Sequence, residues 1–106
     1  MSRLNLTSLR KMKAEQNKIA VLTAYDASFS HVLEQAGVDV ILVGDSLGMV
    51  IQGKESTLPV TVEDMIYHTS NVVRGSDKVF VIADLPFMSY ANTDQAIQNA
   101  AKDAAN

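Results

Sequence analysis

The chain has 106 residues, 47% of them hydrophobic and 20% charged, with a formal net charge of −3. That length suits one small domain or part of a larger one, and the composition excludes a long disordered tract. The acidic balance, with Arg10, Lys11 and Lys13 as the only basic concentration, argues against a nucleic-acid surface, and the lack of cysteine leaves no disulfide framework or thiolate metal site.

The first predicted element is a short helix over residues 8–15, capped by Thr7 or Ser8, with Leu6, Leu9 and Met12 on its apolar side. A β-rich run, KIAVLTAYD, follows and ends at Asp26. Phe29, Val32, Leu33 and Ala36 fall at i, i+3, i+4 and i+7, the pattern of an amphipathic helix, and Gly37 stops it. VDVILVGD reads as a second strand, almost continuously apolar as a strand buried on both faces should be. Residues 46–60 read as a long irregular connection, in which Gly48 and Gly53 allow bending and Pro59 fixes the exit. Thr61-Val62-Glu63-Asp64 resembles a capping box, and Val62, Met65, Ile66, Thr69, Val72 and Val73 keep helical period up to Gly75. KVFVIAD is a third buried-type strand. Asn92-Thr93-Asp94-Gln95 then caps a helix with Ala96, Ile97, Ala100, Ala101, Ala104 and Ala105 on one side.

A leading helix followed by three strands separated by helical crossovers predicts an α/β fold with a parallel sheet. Three parallel strands leave two open edges, a poor stopping point. A closed (βα)₈ barrel has roughly 250 residues. The expectation is therefore that residues 1–106 form a single incomplete domain, the N-terminal portion of a TIM barrel, with a doubly wound sheet as the alternative. The longest apolar run, Val38 to Val43, is broken by Asp39 and is far too short to span a bilayer, and no apolar leader segment follows Arg3. A cytoplasmic protein with neither membrane nor nucleic-acid partner is expected.

Each predicted strand ends in an acid: Asp26, Asp45 and Asp84. Ligand sites of parallel α/β folds lie at the C-terminal ends of strands, and carboxylates at neighbouring tips could share one Mg²⁺. Asp26 precedes a helix and reads as its N-cap. Asp45 and Asp84 precede irregular segments, so two roles stay open for each: binding a metal or substrate, or organising the local turn. The long connection after Ser46 adds weight to a functional reading.

Gly44-Asp45-Ser46-Leu47-Gly48 also satisfies G-x-S-x-G, the nucleophile-elbow pattern, and contains the GDSL tetrapeptide of a lipase group. A nucleophilic Ser46 needs a histidine base. Of the two histidines, His31 lies off the apolar face of its helix, and His68 is expected to pair with Asp64 on a polar helix face. Neither has an aspartate three residues upstream, and the elbow's sharp strand-to-helix turn is not expected within a long loop. The serine-hydrolase reading is disfavoured.

The stretches LTAYD, VGDSLGMVIQGKESTLPVTVEDMIYHT and ADLPFMSY, within a similarity running from Thr7 to the end of the chain, resemble the ketopantoate hydroxymethyltransferase family. The resemblance implies a (βα)₈ barrel of the phosphoenolpyruvate mutase/isocitrate lyase type. It implies Mg²⁺, a 2-oxo acid substrate (3-methyl-2-oxobutanoate) and 5,10-methylenetetrahydrofolate as one-carbon donor. The product would be 2-dehydropantoate, formed through a Mg-stabilised enolate in pantothenate biosynthesis. Asp45 and Asp84 match the family's metal-site aspartates, and Asp45, Ser46 and Asp84 match its oxo-acid positions. The family's base glutamate, its substrate lysine and a third metal-site acid are expected beyond residue 106, so the 106 residues alone are expected to be inactive. A homo-oligomer, decameric in the family, is implied. The alternatives are another Mg²⁺-dependent oxo-acid lyase or mutase of the superfamily, or a non-catalytic partial-barrel assembly module should the chain natively end at Asn106.

Overall fold

A computed structural model describes residues 2–104. The elements are α1 (Leu6–Ala14), β1 (Val21–Thr23), α2 (Ala27–Gln35), β2 (Val40–Val43), α3 (Leu47–Val50), α4 (Val62–Arg74), β3 (Phe80–Ala83) and α5 (Thr93–Ala104). The three strands form one parallel sheet in the order β1-β2-β3, with Val21, Val40 and Phe80 in register. Helical crossovers return the chain to the same edge each time, which is why sequence order and spatial order coincide.

Helix starts follow the side chains that can satisfy free backbone amides. Asp26 caps α2 by accepting from Phe29 N at 2.8 Å, as expected. Thr61 and Asp64 form the reciprocal box of α4, each accepting from the other's backbone amide at 3.0 Å. Asn92 caps α5 by accepting from Gln95 N, while Gln95 Oε1 accepts from Ala91 N. The first helix departs from expectation. Its N-cap is Asn5 rather than Thr7 or Ser8, because Asn5 Oδ1 accepts from Ser8 N and Ser8 Oγ accepts from Asn5 N. Ser8 is thus the third helical residue of a box whose cap lies two or three residues before the expected one.

The side of the sheet facing α4 carries the core: Ala24, Ile41 and Val43 pack with Leu47, Val60, Met65, Val72 and Val79. In the central strand, Val40 and Ile41 point to opposite faces and are both buried, as its unbroken apolar sequence predicts. The face away from α4 is open at its margins, where Val21 and Ile82 are exposed. Such a face is the interior of a barrel wall.

Two amphipathic predictions fail on which face is buried. In α2, Leu33 packs against the core as expected, but Phe29 and Val32 are exposed, while Ser30 is buried and donates to Val72 O at 2.7 Å. Contact with α4 is made by the small residues of α2, because the helices approach closely. A Cβ on Gly75 would lie 2.3 Å from Ala27 O. In α5 the alanine stripe does not form the buried side: Ile97 is exposed, whereas Asp103 is buried. Ala105, also expected on that stripe, lies outside the described residues.

The connection over residues 46–60 is not wholly irregular. It opens with the single helical turn α3, too short to be stable by itself. Leu47, fully buried, anchors it, a burial that contributes about 2 kcal/mol. Gly48 serves close packing rather than bending, since a Cβ there would meet Val60 Cγ2 at 2.5 Å. Gly53 does supply a left-handed bend, at φ +73°.

Candidate oxo-acid and metal site at the strand tips

The register that pairs Thr23, Leu42 and Ile82 carries two residues further to Tyr25, Gly44 and Asp84, on the sheet face away from α4. Backbone bonds extend this alignment past the strand ends: Ala24 N donates to Leu42 O, and Asp84 N to Val43 O. The three tips therefore arrive side by side at the C-terminal edge of the sheet.

Asp84 reaches across to β2, where its Oδ2 accepts from Asp45 N at 3.1 Å. Gly44 makes room for this crossing. A Cβ on Gly44 would stand 3.3 Å from Asp84 Oδ2 and 3.2 Å from Ser46 Oγ, tighter than side chains normally pack. Ser46 Oγ in turn shares a hydrogen bond of 2.7 Å with Tyr25 OH. Asp84, Ser46 and Tyr25 thus converge about a glycine with no side chain of its own.

Asp45 and Ser46 are half-buried, as is Asp84. The second oxygen of Asp84 and both carboxylate oxygens of Asp45 accept no hydrogen bond from the described residues. Two roles left open by the sequence are thereby combined in Asp84, which organises the turn with one oxygen and leaves the other available. Hard carboxylate oxygens on adjacent strands suit Mg²⁺, which takes one or two carboxylates and keeps its other positions for water and substrate. Among the described residues no group of three or more acids, histidines or cysteines is placed to close a site. An open, two-carboxylate site is what the donor set offers. Asp26 does not join it; its carboxylate is committed to the α2 cap.

On the serine-hydrolase reading, the structure differs from expectation just after Ser46. A helix does follow Ser46 directly, because α3 begins at Leu47. The reading still fails, on other grounds. Ser46 has φ −54° and ψ −16°, a relaxed conformation, where an elbow nucleophile sits on a strained turn. Its hydroxyl meets a phenol and no imidazole. His31 is exposed, and His68 bonds elsewhere.

His68 is also not the solvated partner of Asp64 that helical spacing suggested. It is half-buried, its ring stands edge-on to Tyr67, and its Nδ1 bonds Tyr25 O at 2.8 Å. Asp64 is occupied by the Thr61 cap, which holds its carboxyl below the usual carboxylate range; burial opposes this, and Gln52, Thr61 and Lys54 side chains reinforce it. Sequence reasoning missed Tyr25 and His68. The one available signal was the alternation that puts Tyr25, not Asp26, on the side of Asp84.

The family model described as ketopantoate hydroxymethyltransferase matches residues 3–105. The chain is 64% identical over 102 residues to the 3-methyl-2-oxobutanoate hydroxymethyltransferase of Nitrosococcus oceani, covering 96% of this chain and 39% of that protein. It is 61% identical over 99 residues to the enzyme of the same name from a Marinomonas species, covering 93% and 36%. The chain thus spans rather less than two fifths of the length of these relatives. Among solved structures, 2,3-dimethylmalate lyase, a PEP mutase/isocitrate lyase superfamily member, superposes with a TM-score of 0.68. At 21% identity, with 93% of this chain and 36% of that one covered, that likeness establishes the fold: three parallel strands and their helices forming part of a TIM barrel. By the match of its sequence over nearly its whole length, the chain belongs to the ketopantoate hydroxymethyltransferase family.

Proposed function

We propose that this chain supplies the metal- and oxo-acid-binding strand tips of an enzyme that transfers a hydroxymethyl group from 5,10-methylenetetrahydrofolate to 3-methyl-2-oxobutanoate, giving 2-dehydropantoate. The observation that carries the proposal is the convergence of Ser46 and Asp84 about Gly44, with Asp45 tied to Asp84 through its backbone amide. Asp45 and Asp84 would hold Mg²⁺ through the oxygens that accept no hydrogen bond from the described residues. When bound, Mg²⁺ supplies Lewis-acid polarisation of the keto oxygen and a counter-charge for the electron density that builds there as the C3 proton leaves. Ser46 Oγ donates to the substrate carboxylate and so orients the 2-oxo acid. Asp84 keeps the Asp45 peptide in place, so both tips move as one unit. The carbon–carbon bond then forms between C3 and the folate methylene carbon, both C–N bonds of that methylene break, and one water supplies the hydroxyl oxygen. Tetrahydrofolate leaves with the C3 proton and one proton of the water on its two nitrogens.

The base, a substrate lysine and a third acid belong to the longer protein. The family resemblance also supports a cytoplasmic homo-oligomer of decameric form. Among the described residues, no helix is long and apolar enough to cross a membrane.

The test is an assay of the full-length enzyme with 3-methyl-2-oxobutanoate and methylenetetrahydrofolate, with Mg²⁺ and with a chelator. Turnover should require the metal. Ser46→Ala should raise the KM for the oxo acid about tenfold, the loss of one charge-assisted hydrogen bond, and leave residual turnover. Turnover indifferent to the chelator, together with unchanged oxo-acid binding by Ser46→Ala, would sink the reading.

A further inference from the structure

Tyr25 holds two positions at once. Its carbonyl bonds His68 Nδ1 at 2.8 Å, and its hydroxyl bonds Ser46 Oγ at 2.7 Å. A carbonyl only accepts, so His68 Nδ1 carries a proton and donates it. The imidazole of α4 thereby pins the peptide at the tip of β1, from which the phenol reaches across to the tip of β2.

Two hydroxyls 2.7 Å apart share a single hydrogen bond, and each owns one proton. Were Ser46 to donate to Tyr25, its only proton would be consumed inside the protein, leaving none for an anion. With Tyr25 donating to Ser46, the serine proton is free to leave the pair. A carboxylate at Ser46 only accepts, so its binding selects the second arrangement. A phenol is also a stronger donor than an alcohol, and donation into Ser46 Oγ polarises the outgoing serine O–H.

We propose that Tyr25 is a positioning residue that commits the Ser46 proton to the substrate carboxylate, through the directed chain Tyr25 O–H to Ser46 O–H to carboxylate. This rests on the reading of Ser46 given above. Tyr25 acts through Ser46 and need not touch the substrate. Without the phenolic hydroxyl, Ser46 Oγ loses both its partner and its preferred orientation.

The experiment is a double-mutant cycle in the full-length Mg²⁺ enzyme, with Tyr25→Phe, Ser46→Ala and both together. For each, the KM for 3-methyl-2-oxobutanoate, kcat, the KM for methylenetetrahydrofolate and the thermal midpoint are measured. Tyr25→Phe should raise the oxo-acid KM about threefold to tenfold, the range of one intramolecular hydrogen bond. The folate KM, kcat and midpoint should stay near the parent's. In the Ser46→Ala background, Tyr25→Phe should change nothing further. Equal effects of Tyr25→Phe with and without Ser46 would overturn the proposal, as would no effect on KM beside a raised KM in Ser46→Ala; both leave the Ser46 reading standing. A silent Ser46→Ala would overturn that reading, and the relay with it.

Discussion

The two ends of the sheet use polar side chains in opposite ways. At the N-terminal end, Glu34, Arg3 and Ser76 are spent on structure around the turn into β3. The Glu34 carboxylate accepts from the backbone amides of Asp77, Lys78 and Val79 at 2.7–3.1 Å. Arg3 donates to the carbonyls of Val73, Ser76 and Val79 and to Ser76 Oγ. Ser76 Oγ donates onward to Val72 O. At the C-terminal end the carboxylate oxygens of Asp45 and one of Asp84 are left without partners from the described chain. A fold can hold both because fixing one end of a strand also fixes the other. The satisfied end supplies rigidity, and the unsatisfied end is where chemistry can be done.

The largest expected effect separates the two ends. Asp84→Asn keeps an acceptor for Asp45 N but removes the charge that a divalent cation needs. Turnover of the full-length enzyme should fall on the order of 10³-fold, the scale of losing one preorganised electrostatic group. Its unfolding free energy should move by less than about 0.5 kcal/mol. Steady-state kinetics beside denaturant unfolding measures both. A large loss of stability would mean that Asp84 belongs to the structural end after all.

Gly75→Ala is the mirror experiment. The new methyl would press on the backbone of Ala27, which cannot rotate aside as a side chain could. The expected cost is about 3 kcal/mol, read as a lower urea midpoint. The kcat of the molecules that remain folded should stay near the parent's. A variant with normal stability would show that α2 and α4 can separate without cost.

Glu34→Ala should lower stability by about 1 kcal/mol at neutral pH, since water can partly replace the lost acceptor. Its pH dependence has a definite sign. Burial alone would raise the Glu34 pKa, but the amides of Lys78, Val79 and Asp77, with Arg3 nearby, outweigh it and hold the carboxyl low. The contribution is therefore fully present above the ordinary glutamate value of about 4.3. It is lost as pH falls through the depressed folded value. Parent and variant stabilities, compared between pH 7 and pH 2, should converge on the acid side. A constant difference across that range would assign the loss to packing rather than to the ionised carboxylate.

These contrasts also show what could be read in the sequence. The caps of α2, α4 and α5, the three strands, their parallel order and the acids at Asp45 and Asp84 follow from local rules, because caps and strand periods depend on neighbours in the chain. The resemblance of VGDSLGMVIQGKESTLPVTVEDMIYHT supplied the family. The burial of α2 and α5 was not legible. Periodicity reports that a helix has an apolar face, but Ser30 and Gly75 fix which face meets α4, through contacts with Val72 and Ala27 that are distant in the chain. His68 was misplaced for the same reason: its spacing from Asp64 is local, whereas its bond to Tyr25 O crosses between elements. Ser46 was placed at the site by resemblance, but its phenolic partner could be found only once β1 and β2 lay side by side.

Asp103 tests whether an unspent carboxylate marks function wherever it occurs. It lines a cavity of about 500 Å³ between α4, β3 and α5, among Thr69, Val73, Val81 and Ala100. Its Oδ1 has no hydrogen-bond partner among the described residues. Burial pushes its carboxyl above the usual range, only partly opposed by the hydroxyl of Thr69. Unlike Asp84, it faces walls that are apolar apart from Thr69 among the described residues, so desolvation dominates the cost of its charge. Because the folded pKa is raised, its stabilising share is full below the ordinary aspartate value of about 3.9 and is lost as pH rises through the folded value. Asp103→Asn carries no charge to desolvate. It should therefore be more stable than the parent at pH 7, by under about 1 kcal/mol, with the gain vanishing below about pH 3.5. Turnover should be unchanged. A variant less stable than the parent at pH 7 would show that the ionised carboxylate has a cationic partner in the full-length fold, and would place Asp103 with Glu34 among the groups spent on structure.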